Sequence, residues 1–352
     1  MPRHNPLPRT LIPTGRRSVT VCSARFYAAN MRRAVLQVLT VLVTVAVAAA
    51  VAATAYAADP YRASGPTEAR YLEPGPWQVT EHYEFGCCDS TGAAYDIWYP
   101  TDVAARGPRH PIITWGNGTA AQPRQYAHLL RHLASWGFVV IATENRSTGT
   151  GVDIAGAARY LVERAADPAS VFHDRLDTSA IGAVGHSQGA TGVLNAMIDS
   201  GGLIRTAVPI ELPAQSFCSN RLSCTDTRRL GGGSVFFVNG SDDALISPSQ
   251  KLWALPGLQS NQDYYEATPG SVTKVWGTLV GPNHNDVQGQ PDCARASSPC
   301  TDGVYGYLGY PTAWLVARLW GCAGAAAAFA PGTGEFYAPN PHWANQIGAA
   351  AG

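Results

Sequence analysis

The segment Gly185-His186-Ser187-Gln188-Gly189 has the residue types and spacing most suggestive of chemistry in this sequence. An apolar run, Ile181-Gly182-Ala183-Val184, leads into it, and a second run of helical character, Ala190 to Ile198, leads out. A serine flanked by glycines at such a junction fits a sharp strand-to-helix turn, where strand and helix approach too closely for β-carbons. A serine hydroxyl is a weak nucleophile until a base removes its proton. The same site must therefore supply a histidine and an acid that orients it.

Chain order sorts the partners. When a nucleophile elbow sits at the end of a sheet strand, the acid and then the histidine follow it in sequence. Of nine histidines only His284 and His342 lie beyond Ser187. His342 is in a Pro-rich tail, whereas Gly281-Pro282-Asn283-His284-Asn285 directly follows a β-like run, so His284 is the expected base. Seven acids separate Ser187 from His284: Asp199, Glu211, Asp226, Asp242, Asp243, Asp263 and Glu266. Asp242 and Asp243 follow the apolar run Val235 to Val238 and the turn Asn239-Gly240-Ser241. Asp243 is the expected acid, with Asp242 the alternative; the others read as solvated surface.

A developing oxyanion needs backbone N–H groups aimed at it. Gln188, the residue after the serine, should supply one. The second should come from Trp115-Gly116-Asn117-Gly118-Thr119, through either Thr119 or Asn117. A nucleophile, base, acid and oxyanion hole together make acyl transfer possible without metal or organic cofactor.

The elements that must position these residues alternate along the chain. Strand-like runs surround Tyr83 and cover 95–99, 111–115, 138–142, 179–184, 206–210, 234–238 and 272–280. Helix-like stretches lie near 124–136, 153–165, 188–199, 248–255 and 311–320. Such alternation predicts a mostly parallel sheet of about eight strands with helices on both faces and an antiparallel opening pair, and the elbow at 185–189 makes an α/β-hydrolase fold the expectation. Cys218 to Gly233 reads as an irregular loop, either beside the site or merely a decorated connection.

Residues 1–57 carry seven arginines and no acid, so the remainder, with 18 basic against 25 acidic residues, has a net charge of −7. An acidic body argues against a nucleic-acid partner. Arg32-Arg33, the apolar stretch Ala34 to Ala55 and Ala55-Tyr56-Ala57 read as a secretory signal peptide cleaved near Ala57-Ala58, with Met31 as the natural start. Export by the general or the twin-arginine route stays open. Residues 58–352 then form one catalytic domain, extracellular and without a membrane span after processing. Cys218/Cys224 and Cys293/Cys300 are spaced for local disulfides rather than zinc knuckles. Seven cysteines follow Ala57, which leaves one thiol over.

With these residues in hand, the chain resembles the bacterial cutinases and polyester (PET) hydrolases over most of residues 75–320. The similarity lies in 111–119, 133–140, the 185–189 elbow and the Asp243 and His284 loops. It implies a secreted serine esterase acting on a small or polymeric ester. An ungapped match places Thr119 at the family's aromatic oxyanion position, whereas counting from the strand places Asn117 there. Two positions depart from the family: Gln188 stands where Met is usual, and Pro213 where a Trp is expected. Two other functions fit the same scaffold, a cell-envelope acyltransferase and a non-catalytic binding protein.

Overall fold

The structure is a computed structural model that describes residues 61–105, 107–218, 224–251 and 255–352. The leader expected over 1–57, Met31 and the Ala57-Ala58 cleavage site lie outside the described residues.

Nine strands form one sheet in the order β1-β2-β4-β3-β5-β6-β7-β8-β9. They are β1 (Val79–Gly86), β2 (Tyr95–Pro100), β3 (His110–Gly116), β4 (Val139–Thr143), β5 (Leu176–His186), β6 (Thr206–Ile210), β7 (Ser234–Gly240), β8 (Thr273–Leu279) and β9 (Trp343–Ala349). The pairs from β4 through β8 are parallel, while β1/β2, β2/β4 and β8/β9 are antiparallel. The sheet thus has one strand more than expected. The addition is β9, in the stretch that reads from sequence as a Pro-rich tail.

Residues of β3, β4, β6 and β7 are buried along their whole length. Runs such as Val139-Val140-Ile141-Ala142 are apolar at every position because helices cover both faces. Described helices are α1 (Pro66–Leu72), α2 (Ala127–Ser135), α3 (Val152–Ala166), α4 (Gln188–Asp199), α5 (Asn261–Ala267), α6 (Gly309–Leu319) and α7 (Ala323–Ala327). On one face Ile112, Ile141, Ile181 and Ala183 pack with Ile154, Leu161, Val193 and Tyr264 from α3, α4 and α5. On the other, Phe236 meets Trp314, Phe329, Phe336 and Trp343 in an aromatic cluster.

The helix expected near 248–255 does not form in its described residues; the helix of this region is α5 instead. Its start carries a capping signal, since the Ser260 hydroxyl accepts from the Asp263 N–H at 3.0 Å. Strand order sets where a site can lie. From β3 the chain steps outward to β4 and then returns to the other side of β3 as β5. Such a reversal opens a crevice at the strands' carboxyl ends.

Candidate active site

Gly116 at the end of β3 pairs with Gly185 near the end of β5, which sets the loop after β3 beside the elbow after β5. The glycines there are steric requirements. A β-carbon on Gly189 would lie 2.1 Å from the Gly116 carbonyl oxygen, and one on Gly185 would lie 2.5 Å from that of Gly189. Ser187 sits at φ 55°, ψ −122°, a strained conformation for a residue with a side chain. Its N–H donates to the Ile210 carbonyl at 3.0 Å, and its carbonyl accepts from Ala190 and Thr191. The turn is therefore held by β6 on one side and by α4 on the other.

His284 lies in the loop after β8 and Asp243 in the loop after β7. His284 Nε2 is 2.8 Å from Ser187 Oγ, and His284 Nδ1 is 2.5 Å from Asp243 Oδ2. The other oxygen of Asp243 accepts from the Ile246 N–H at 3.1 Å. All three residues are less than a tenth exposed. Asp242 points away to solvent, and its N–H donates to the Pro282 carbonyl. The structure thus brings Asp243 to His284, and not Asp242.

Neighbouring groups fix the histidine. His186 Nε2 donates to the His284 carbonyl at 2.6 Å, and its Nδ1 accepts from the Tyr126 hydroxyl at 2.9 Å. A carbonyl can only accept, so this pairing sets the His186 tautomer. Burial, helped by His284 nearby, holds His186 well below the usual histidine range and therefore neutral. Asp286 gathers the N–H groups of Asn283, Thr301, Asp302 and Gly303 on its carboxylate. The His284 loop is thereby tied to the loop closed by Cys293–Cys300.

The two expected oxyanion positions separate cleanly. Asn117 is fully buried: its side chain accepts from Trp115 Nε1 and donates to the carbonyls of Thr143 and Asn145. Its carbonyl accepts from the Thr148 hydroxyl. Asn117 therefore braces the loop beneath, whereas Thr119 lines the cleft beside Ser187 and Gln188. The N–H groups of Thr119 and Gln188 donate to no acceptor among the described residues.

The cleft over Ser187 has a volume of about 420 Å³, with Pro213, Phe217 and Ile246 among its walls. Cys218 also borders it, so the irregular stretch begins beside the site. Pro213, which stands where the family pattern has Trp, occupies a wall position.

Glu211 corrects the sequence reading. Expected as solvated surface, it is wholly buried at the end of β6, next to Asp243 and His284. No sequence motif marks it. Glu211, Asp243 and His284 each place one ligand-type atom within 4.8 Å of the others. The 2.5 Å contact between His284 and Asp243 is a hydrogen-bond distance and leaves no space for an ion between them.

The two expected local disulfides form, and a third joins adjacent cysteines. Cys87–Cys88, Cys218–Cys224 and Cys293–Cys300 are disulfides. Cys322 is also disulfide-bonded, and no cysteine among the described residues is free. Disulfides on this scale belong to proteins that fold outside the reducing cytosol. No helix among the described residues is long and apolar enough to cross a membrane.

Sheet order, the strained Ser187 turn and the loops at the strands' carboxyl ends define an α/β-hydrolase. Within that class the chain resembles the bacterial cutinases and PET hydrolases, and a family profile described as PET hydrolase-like matches residues 52–220. Cutinase cut1 of Thermobifida fusca is 28% identical over 239 residues, covering 65% of this chain and 66% of that protein. Cutinase est2 of Thermobifida alba is 32% identical over 149 residues, 40% of this chain and 47% of its own length. Cutinase 2 of Thermobifida cellulosilytica is 28% identical over 236 residues, 64% and 79% respectively. The match thus spans slightly less than two-thirds of the first relative's length.

Proposed function

We propose that this protein is a secreted serine hydrolase that cleaves carboxylic esters through an acyl-enzyme on Ser187. The observation that carries the reading is the continuous path of hydrogen bonds from Ser187 Oγ through His284 to Asp243, at 2.8 and 2.5 Å. His284 takes the serine proton as Oγ attacks the ester carbonyl, and Asp243 holds the ring in the tautomer that leaves Nε2 free to accept. The tetrahedral oxyanion is met by the Thr119 and Gln188 N–H groups, which have no other acceptor among the described residues and so suit the task. His284 then gives its proton to the leaving alcohol. Water, activated by the same imidazole, attacks the acyl-enzyme and releases the acid.

The walls formed by Pro213, Phe217 and Ile246 suit an apolar acyl chain or a polymer segment. The names of the Thermobifida relatives point the same way. Secretion is supported by the charged, apolar and Ala-x-Ala pattern of the leader together with the disulfides.

The test is hydrolysis of p-nitrophenyl esters from acetate to palmitate by the protein and its Ser187→Ala variant. The substitution should lower kcat by about 10⁴-fold or more while the fold, read by circular dichroism, is unchanged. Equal background rates from both proteins across the series would sink the esterase reading and bring the binding-protein and transferase alternatives forward.

A further inference from the structure

The active-site surroundings hold one buried ionisable group that the proposed chemistry does not use. Glu211 has no exposure to solvent. It ends the run of β6, with its backbone at φ 51° and its N–H bonded to the Val238 carbonyl at 2.9 Å. Its Oε1 already takes two donors, the Gly240 N–H at 2.7 Å and the Tyr307 hydroxyl at 2.5 Å. Its Oε2 is buried and receives no donor among the described residues. Besides the Tyr307 hydroxyl, Asp243 and His284 are the ionisable groups within 4.8 Å, and no cation forms an ion pair with Glu211 among the described residues.

Two buried carboxyl groups this close cannot both carry charge, because the repulsion and the double desolvation are unscreened. One must hold a proton, and the surroundings decide which. Asp243 accepts from His284 Nδ1 and from the Ile246 N–H, and both contacts favour its anion. Glu211 faces only neutral donors and the Asp243 charge. Burial first, and then Asp243, push the Glu211 carboxyl well above its ordinary range.

We propose that Glu211 is a positioning residue that stays protonated and donates from Oε2 to Asp243, extending the Ser187–His284–Asp243 path by a fourth member. With that bond the Asp243 carboxylate has three donors and one orientation, toward His284. Glu211 touches no substrate; it acts through Asp243. The Tyr307 hydroxyl and Gly240 N–H hold the Glu211 carbonyl oxygen, so its acid O–H has a single direction to point. The inference rests on the esterase reading for its kinetic consequence, although the protonation state of Glu211 does not depend on it.

The experiment compares Glu211→Met with Glu211→Gln. Methionine fills the volume without donor or acceptor, and kcat should fall by about 10- to 100-fold with KM little changed. The acid limb of the kcat/KM profile should move to higher pH, because Asp243 without its extra donor concentrates its charge on the imidazolium. Glutamine keeps one acceptor and one donor and should restore most of the lost rate, with the acid limb back in place. Infrared difference spectra should show a carboxylic-acid C=O stretch in the wild type at neutral pH that vanishes in Glu211→Gln. Absence of that band, or an acid limb moved to lower pH in Glu211→Gln, would mean that Glu211 is ionised and would overturn the proposal. So would wild-type kinetics in Glu211→Met. Undiminished activity in Ser187→Ala would instead overturn the esterase reading, and the infrared band would still report on Glu211.

Discussion

At the scale of single residues, two adjacent aspartates show what a few ångströms decide. Asp242 and Asp243 have the same chemistry and sit in the same loop, yet only Asp243 turns inward to His284. Asp243→Asn should therefore lower kcat by about 10⁴-fold, because an amide facing Nδ1 favours the wrong tautomer. Asp242→Asn should leave kcat/KM for p-nitrophenyl butyrate near the wild-type value, since that exposed side chain accepts from the Ser241 hydroxyl and, among the described residues, bonds nothing in the site. Equal losses in both variants would remove Asp243 from its proposed role. The serine and histidine were readable because each sits in a short contiguous pattern whose flanking glycines or prolines have a steric purpose. Choosing between the aspartates from sequence rested on motif spacing alone. Glu211 could not be found that way: its significance lies in burial beside a residue 32 positions along the chain, and nothing adjacent to it signals that.

At the scale of elements, β2 carries a testable electrostatic strain. Asp96 points into the protein, where its Oδ1 accepts from the Glu84 N–H at 2.9 Å while its Oδ2 has no hydrogen-bond partner among the described residues. The nearest cation, Arg124, stands 3.9 Å away. Burial pushes this carboxyl up to about 6. The unfolded chain titrates near about 3.9, so between these values the native state binds more protons and stability falls as pH rises. The contribution is fully present below the unfolded value and lost through about 6. Asp96→Asn mimics the protonated acid. Its melting temperature should exceed that of the wild type at about pH 8, and the difference should shrink as pH falls and be nearly closed at about pH 3.5. A destabilisation of equal size at both pH values would contradict this account. Most elements were legible, since α3 and α4 carry apolar residues at helical spacing and the central strands are continuous apolar runs. The helix expected near 248–255 does not form in its described residues, and the local signal that starts a helix in this region is the Ser260 cap of α5. Strand β9 was missed because Ala, Asn and Gly in Trp343 to Ala349 have little strand preference of their own; pairing with β8 supplies it.

At the scale of the whole molecule, loops far apart in sequence are cross-braced around the cleft. Asp286 ties the His284 loop to residues 301–303, and the Cys293–Cys300 bridge closes the intervening segment. Cross-linking across a separation of 7 residues removes chain entropy from the unfolded state worth about 2–3 kcal/mol. Replacing both cysteines by serine should lower the denaturation free energy by about that amount, read from the urea midpoint at unchanged slope. An unchanged midpoint would show that the bridge adds nothing beyond the Asp286 contacts.

The amino-acid sequence by itself determined the α/β-hydrolase class, the Ser187 turn, the His284 loop and two of the disulfides. Each depends on residues within a few positions of one another, where sterics and hydrophobic period act directly. Tertiary structure alone decided that Asp243 rather than Asp242 meets His284, that Asn117 braces the loop while Thr119 lines the cleft, that Cys322 is bonded, and that Glu211 is buried. These outcomes turn on which chain segments the sheet order brings together, and that order minimises the free energy of the whole packed core rather than of any local stretch.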